Sequence, residues 1–205
     1  MKTTLYFTRH GQTKWNLQKK MQGHKDSPLT EFGIRQAEWL KERLGNVDFD
    51  AIYSSSSPRA VSTARILLGN RPIDISTLDS LKEINMGLWE GQNVEHIQQA
   101  YPVQYEQFFN QPHLYTPTGH GESYRELLGR TIPAIKDIIA KHKSKEVLIV
   151  THRITLKAIM GYFLNKQLDE MGNLPDIYPT ALCKITMNED TPEVDLYGDV
   201  SHYLS

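Results

Sequence analysis

The chain has 205 residues, 39% of them hydrophobic and 23% charged, with a formal net charge of -1. That length suffices for one domain with a well-buried core. The near-neutral charge excludes the broad basic field that nucleic acids or anionic membranes require, so any anion must be met by locally clustered Arg and His. A single cysteine, Cys183, rules out intrachain disulfides and points to a reducing compartment. After Met1-Lys2 the apolar run Leu5-Tyr6-Phe7 is too short for a signal-peptide core. No run approaches the ~18 residues of a membrane span. The expectation is a cytoplasmic protein without nucleic-acid or membrane partners.

Leu5 to Thr8 reads as a buried strand that runs into Arg9-His10-Gly11. Residues 11 to 29 are polar, contain Gly11, Gly23 and Pro28, and predict a long loop. Thr30 caps a helix to about Leu44, with Ile34, Ala37, Leu40, Lys41 and Leu44 approximating its apolar stripe and Gly45 stopping it. Phe49 to Tyr53 is a second strand. Ser57 reads as the cap, and Pro58 as the first residue, of a helix that ends at Gly69. Pro72 to Leu78 is a third strand. From Trp89 to about Gly121, three prolines and a crowd of aromatics indicate an irregular, partly helical insertion. A helix over about 122–142 leads into Glu146-Val147-Leu148-Ile149-Val150, the clearest buried strand in the chain. Thr151-His152-Arg153 ends it, and a further helix runs to about Leu164. Strands near 181–187 and 193–197 close the chain.

Alternating strands and helices argue for a three-layer α/β/α sandwich. Its central sheet is expected to be mostly parallel, with an antiparallel edge strand and a small helical cap. Residues 1–205 form one domain, with the cap-like insertion at about 89–121.

Two histidines occupy equivalent places, His10 after the first strand and His152 after the strand ending at Val150. Ligands of open α/β sheets bind at this carboxyl edge. Arg59 lies in the first turn of a helix, where side chains lean back towards the N-terminus, over the same edge. Arg9, Arg59 and two imidazoles would form an anion pocket of phosphate size. An uncharged His10 there is a nucleophile towards phosphorus.

The order of motifs resembles the histidine phosphatase superfamily, the phosphoglycerate-mutase-like proteins. Arg9-His10-Gly11 with Thr13 and Asn16 is similar to its nucleophile signature. Gln22-Gly23, Asp26, Pro28-Leu29-Thr30, Gly33 and Gln36-Ala37 continue the pattern. Ser57-Pro58-Arg59-Ala60 with Thr63-Ala64 resembles its second arginine motif, and Glu83 with Gly87-Leu88-Trp89-Glu90-Gly91 its acid motif. Gly121-Glu122-Ser123 and Thr151-His152 complete the series. The resemblance implies a phosphohistidine mechanism with no metal and no cofactor. His10 would be the nucleophile, Arg9, Arg59 and His152 the phosphoryl ligands, and Glu83 the general acid and base. Gly11, Thr13, Asn16 and Gln22 would belong to the substrate-binding loop. Asp26, Glu90 and Glu122 are the fallback acids.

Arg153 departs from the family, which usually has glycine there. It would add a third cation and favour substrates with a second anionic group, or point away and narrow access. Either way it would bear on specificity and belong to the substrate-binding set. The six other histidines include no i,i+4 pair, and H-E-x-x-H is absent, so no metal site is expected. The function implied is a phosphomonoesterase acting on a small-molecule phosphate ester. The alternatives are a phosphoglycerate mutase with weak phosphatase activity and a catalytically inactive relative that binds phospho-ligands. The physiological substrate and oligomeric state stay open, as does whether the aromatic insertion contacts substrate or only packs as a satellite core.

Overall fold

The structure is a computed structural model that describes residues 2–189 and 191–203. Its strands are β1 (Lys2–Arg9), β2 (Ala51–Ser55), β3 (Ile75–Leu78), β4 (Glu146–Thr151), β5 (Leu182–Asn188) and β6 (Thr191–Asp199). Its α-helices are α1 (Lys14–Leu17), α2 (Glu31–Arg43), α3 (Pro58–Leu68), α4 (Val94–Ala100), α5 (Pro102–Asn110), α6 (Tyr124–Lys141) and α7 (Arg153–Phe163). The strands form one sheet in the order β3-β2-β4-β1-β5-β6. The first four strands pair in parallel. β5 runs antiparallel to β1, and β6 is antiparallel to β5, so a hairpin finishes that side of the sheet.

Period-two alternation divides the sheet's side chains between two helical layers. Leu5, Phe7, Val147 and Ile149 point into a core shared with Ile135 and Ile138 of α6 and with Leu156, Ile159 and Met160 of α7. Leu148, Val150 and Ile52 point the other way, against Leu40 of α2 and Ala60, Ala64 and Leu67 of α3. Because both faces are covered, β1 and β4 are buried almost throughout. The expected α/β/α sandwich is the observed one.

A third core lies at the carboxyl edge of the sheet. Trp89, Ile97, Phe108, Tyr115 and Tyr124 pack there with Leu127, Ile154 and Met21. The Trp89 ring sits 5.5 Å from Phe108 and 5.8 Å from Tyr115. The aromatics of the insertion thus pack α4 and α5 onto the starts of α6 and α7.

Two local expectations need correction. Residues 11–29 are not loop throughout, since α1 occupies 14–17 within a capping box formed by Thr13 and Asn16. The α2 stripe is also displaced: Gly33, Gln36, Ala37 and Leu40 are buried, whereas Ile34 is 40% exposed. Gln36 faces inward because its Oε1 accepts the Gln12 backbone N–H at 3.1 Å, and Gly33 because the chain after His10 passes directly over it.

That crossing sets the path of the loop that follows β1. A Cβ on Gly33 would lie 2.1 Å from the Gln12 carbonyl oxygen, and one on Gly11 would lie 2.4 Å from the Gly33 carbonyl oxygen. Both obstacles are backbone, so neither can be relieved by a rotamer change. Gly33→Ala is therefore expected to lower stability by about 2 kcal/mol and to reduce activity by shifting the loop. Urea unfolding with parallel assays checks this; a variant with parental midpoint and activity would show that the crossing has slack.

Candidate active site

β1 and β4 are adjacent and in register, with Arg9 opposite Thr151. The next residue on each strand is a histidine. The His10 N–H extends the ladder by donating to the Thr151 carbonyl at 3.0 Å. The two imidazoles are consequently neighbours, with ring centroids 5.2 Å apart at 64°. Both are buried.

Hydrogen bonds fix the tautomer of His10. Its Nδ1 lies 2.7 Å from the Gly11 carbonyl oxygen, which can only accept, so the ring proton is on Nδ1. Nε2 receives the Nε–H of Arg59 at 3.2 Å, which a protonated nitrogen could not do. Burial, followed by the charges of Arg59 and Arg9, holds the His10 pKa well below its ordinary value. The result is a neutral imidazole with a bare Nε2.

Arg59 is the second residue of α3, and its guanidinium is 1% exposed. Nη1 donates to the Lys25 carbonyl and to Asp26 Oδ1, both at 2.8 Å, and Nη2 donates to the Gly23 carbonyl at 2.8 Å. The loop after α1 thus grips Arg59 from the side away from His10. Glu90 braces that loop by accepting the N–H groups of His24, Lys25 and Met86. Arg9 donates through Nη1 to the Ile177 carbonyl at 2.8 Å, while its buried Nε has no protein partner. Burial and then the nearby Arg153 hold the Arg9 pKa down to about 10, which leaves the guanidinium charged at neutral pH.

His152 is the N-cap residue of α7. Its Nε2 contacts Ser55 Oγ at 2.7 Å, and its buried Nδ1 has no partner. Burial first, and then Arg59, His10 and Arg9, push its pKa well down. Glu83 meets the start of the same helix. Its Oε1 accepts the N–H and the hydroxyl of Thr155, both at 3.0 Å, and the N–H of Ile84. Oε2 accepts only the Ile154 N–H, at 3.1 Å. The carboxylate is therefore locked by free helix N–H groups, with one lone pair left on Oε2.

Arg9, His10, Arg59 and Glu83 all line one cavity of about 380 Å³, together with Asn16, Gln22 and Arg153. Met21, Met86, Val94 and Phe109 form its apolar wall. Gly11 and Thr13, grouped in the sequence with the binding loop, do not line it, and neither does the wholly buried His152, whose ring packs against that of His10. The Gly11 N–H is held by Thr63 Oγ1, and Thr13 caps α1 while accepting from Gln22 Nε2 at 2.8 Å. Their positions suit them to shaping the loop. The fallback acids are committed elsewhere: Asp26 to Arg59, Glu90 to the loop, and Glu122 to Arg130. Among the described residues, no three His, Cys, Asp or Glu side chains are grouped to hold a metal ion.

Arg153 does reach the cavity, but its charge is already paired. It makes a two-pronged contact with Asp176 at 2.6 and 2.8 Å and lies 5.3 Å over the Phe109 ring. Asp176, Lys19, Lys20 and Pro179 also line the cavity and were not anticipated. Lys19 and Lys20 carry only the generic signal of a charge run, and nothing near Asp176 in the sequence connects it to Arg153. Ser55 likewise gives no signal beyond being a small polar residue at a strand end.

The sequence profile of the histidine phosphatase superfamily (branch 1) matches residues 5–200. An Arabidopsis thaliana protein named metal-independent phosphoserine phosphatase is 31% identical over 205 residues, spanning 99% of this chain and 84% of that protein. A probable phosphoglycerate mutase GpmB of Proteus mirabilis is 32% identical, over 78% of this chain and 74% of its own. Among solved structures, Bacillus stearothermophilus YhfR superposes with a TM-score of 0.94 at 43% identity, covering 98% of each chain.

Burial of the uncharged rings couples stability to pH. His10, His152 and His202 have pKa values below the ordinary 6.5, that of His202 at about 4 through burial and the nearby Arg43. Below pH 6.5 the unfolded chain takes up protons that the folded one refuses. The stability present above that pH is lost as the pH falls towards the folded values. The Tm is expected to drop by several degrees between about pH 7.5 and about pH 5, and His202→Gln should lessen the drop. A Tm flat over that interval would contradict the buried neutral rings.

Proposed function

This chain belongs to the histidine phosphatase superfamily, and from that premise we propose that it is a small-molecule phosphomonoesterase working through phosphorylated His10. The observation that carries the proposal is the bare Nε2 of His10, kept neutral beside Arg59 and next to a second buried imidazole. Such a nitrogen is a nucleophile, and the cations around it attract and hold a phosphoryl group.

In the first step the Arg59 Nε–H moves from Nε2 to a phosphoryl oxygen, and the lone pair thus freed attacks phosphorus in line with the ester oxygen. The N–P bond forms as the P–O bond to the alcohol breaks. Glu83 delivers its proton to the departing oxygen, and Arg9, Arg59 and the Nδ1 side of His152 hold the three remaining phosphoryl oxygens. In the second step Glu83 takes a proton from water, whose oxygen attacks the phosphohistidine. Inorganic phosphate leaves and His10 is restored with its Nδ1 proton in place. The bond from Nδ1 to Gly11 keeps the ring oriented throughout. Nothing in this cycle calls for a metal ion.

Asn16 uses its carbonyl oxygen for the Thr13 cap, which leaves its amide nitrogen for the substrate. Gln22 is held by Thr13 and Ser27 and serves mainly to keep the loop in place. Residues 1–205 act as one domain, with 89–121 as a cap whose Phe109 meets the organic part of the ester. Since Asp176 neutralises Arg153, that pair bears on the shape of the entrance more than on its charge. The relative named for phosphoserine makes O-phosphoserine an ester to assay first.

With EDTA present, the protein should hydrolyse p-nitrophenyl phosphate and O-phosphoserine, and His10→Ala should lower kcat at least about a thousandfold. Given 3-phosphoglycerate and a bisphosphoglycerate primer, it should release inorganic phosphate and form no 2-phosphoglycerate. Activity that disappears with EDTA, or that survives His10→Ala, would refute the proposal. Formation of 2-phosphoglycerate would make the chain a mutase.

A further inference from the structure

Ser55 ends β2, one residue past Ser54, which pairs with Val150 of β4. That register sets its hydroxyl beside the residues that follow β4. Ser55 is wholly buried, and its Oγ has three polar neighbours: the Ser57 N–H at 3.2 Å, the Ser57 hydroxyl at 3.3 Å and His152 Nε2 at 2.7 Å. The oxygen has one proton to give and two lone pairs to offer. The Ser57 N–H takes one lone pair. The hydroxyl can be satisfied in two ways: Nε2–H donates to it while it gives its own proton to the Ser57 hydroxyl, or it accepts from the Ser57 hydroxyl and gives its proton to Nε2, and it is the second that suits a phosphoryl ligand.

This allocation has a consequence at the other end of the ring. If Nε2 accepts, a neutral His152 carries its proton on Nδ1, the one nitrogen of the ring with no protein partner. The opposite tautomer would leave a bare lone pair there. Towards a phosphoryl group that lone pair is repulsive, whereas an N–H is a donor. His10 has the same tautomer in the opposite use: its N–H is held by Gly11, and its unprotonated nitrogen, which accepts from Arg59, is the one assigned to chemistry.

We propose that Ser55 is a positioning residue that donates to His152 Nε2 and thereby fixes an Nδ1–H donor on the ring that neighbours the nucleophile. The proposal rests on the phosphohistidine mechanism above, but its main readout is a proton position that exists without turnover. In the full-length protein labelled with 15N-histidine, long-range 1H–15N correlation should show His152 protonated on Nδ1. Ser55→Thr should keep that pattern, and Ser55→Ala should move the proton wholly or partly to Nε2. Kinetically, Ser55→Ala should lower kcat on p-nitrophenyl phosphate about ten- to a hundredfold, with a smaller change in KM, and Ser55→Thr should restore most of it.

Three results would overturn the assignment: an Nε2–H tautomer in the parent protein, Ser55→Ala with kcat within about twofold of parental, or a variant whose Tm falls while its tautomer is unchanged. If Ser55→Ala does not fold, the parent spectrum and Ser55→Thr decide alone. Loss of activity in His10→Ala beside full activity in Ser55→Ala would remove the role of Ser55 and leave the phosphohistidine mechanism intact.

Discussion

A guanidinium donates to an imidazole inside this protein, from Arg59 Nε to His10 Nε2 at 3.2 Å with both side chains buried. An N–H can donate only to an unprotonated ring nitrogen, so the contact exists only while His10 is neutral. It therefore sets the state of the proposed nucleophile before any substrate arrives. The contact depends in turn on what aims Arg59. Backbone carbonyls at Gly23 and Lys25, with the Asp26 carboxylate, occupy three of its four other N–H donors and leave one on Nη2, and Glu90 ties those residues to Met86. At Gly23, with φ +54°, a Cβ would fall 2.0 Å from the Glu90 carboxylate. The loop can close around Arg59 only because that side chain is absent.

The sheet supplies the other half of the geometry. Two parallel neighbours in register end on the same level, so the residues that follow them meet without a special loop. The start of α7 adds His152 as its cap residue and gives two of its free N–H groups to Glu83. A chain with a net charge of -1 thereby concentrates two arginines, two imidazoles and a helix N-terminus at one rim. The acids that might offset them are pulled into contacts of their own. Arg153 shows the same economy of charge in reverse: it reaches the cavity, but Asp176 has already paired with it.

The parts of the site that follow from chain periodicity were legible in the sequence. His10 and His152 could be placed together because each follows an apolar run, and parallel strands end at a common edge. Arg59 was legible because Ser57-Pro58 marks a helix start, although the Ser57 hydroxyl makes no cap bond. What escaped was set by contacts between distant segments. Gln36 and Gly33 turn inward on account of Gln12, which shifts the stripe of α2 away from Ile34. The four-residue α1 was hidden because Asn16 fills the third position of its capping box, where Glu or Gln is the usual signal. Asp176 and Ser55 act on partners 23 and 97 residues away, and neither carries a local pattern that names its partner. Glu83 was identified by resemblance alone; its hold on the start of α7 is a tertiary fact.

The most direct test is to find where the phosphoryl group rests during turnover. The protein would be mixed with p-nitrophenyl phosphate for a fraction of one catalytic cycle, quenched in alkali to preserve phosphohistidine, digested and sequenced by mass spectrometry. The phosphoryl group should be on the peptide that carries His10 and be lost on brief acid treatment. A phosphoryl group on His152 or on a hydroxyl, or none at any point of a productive cycle, would contradict the account.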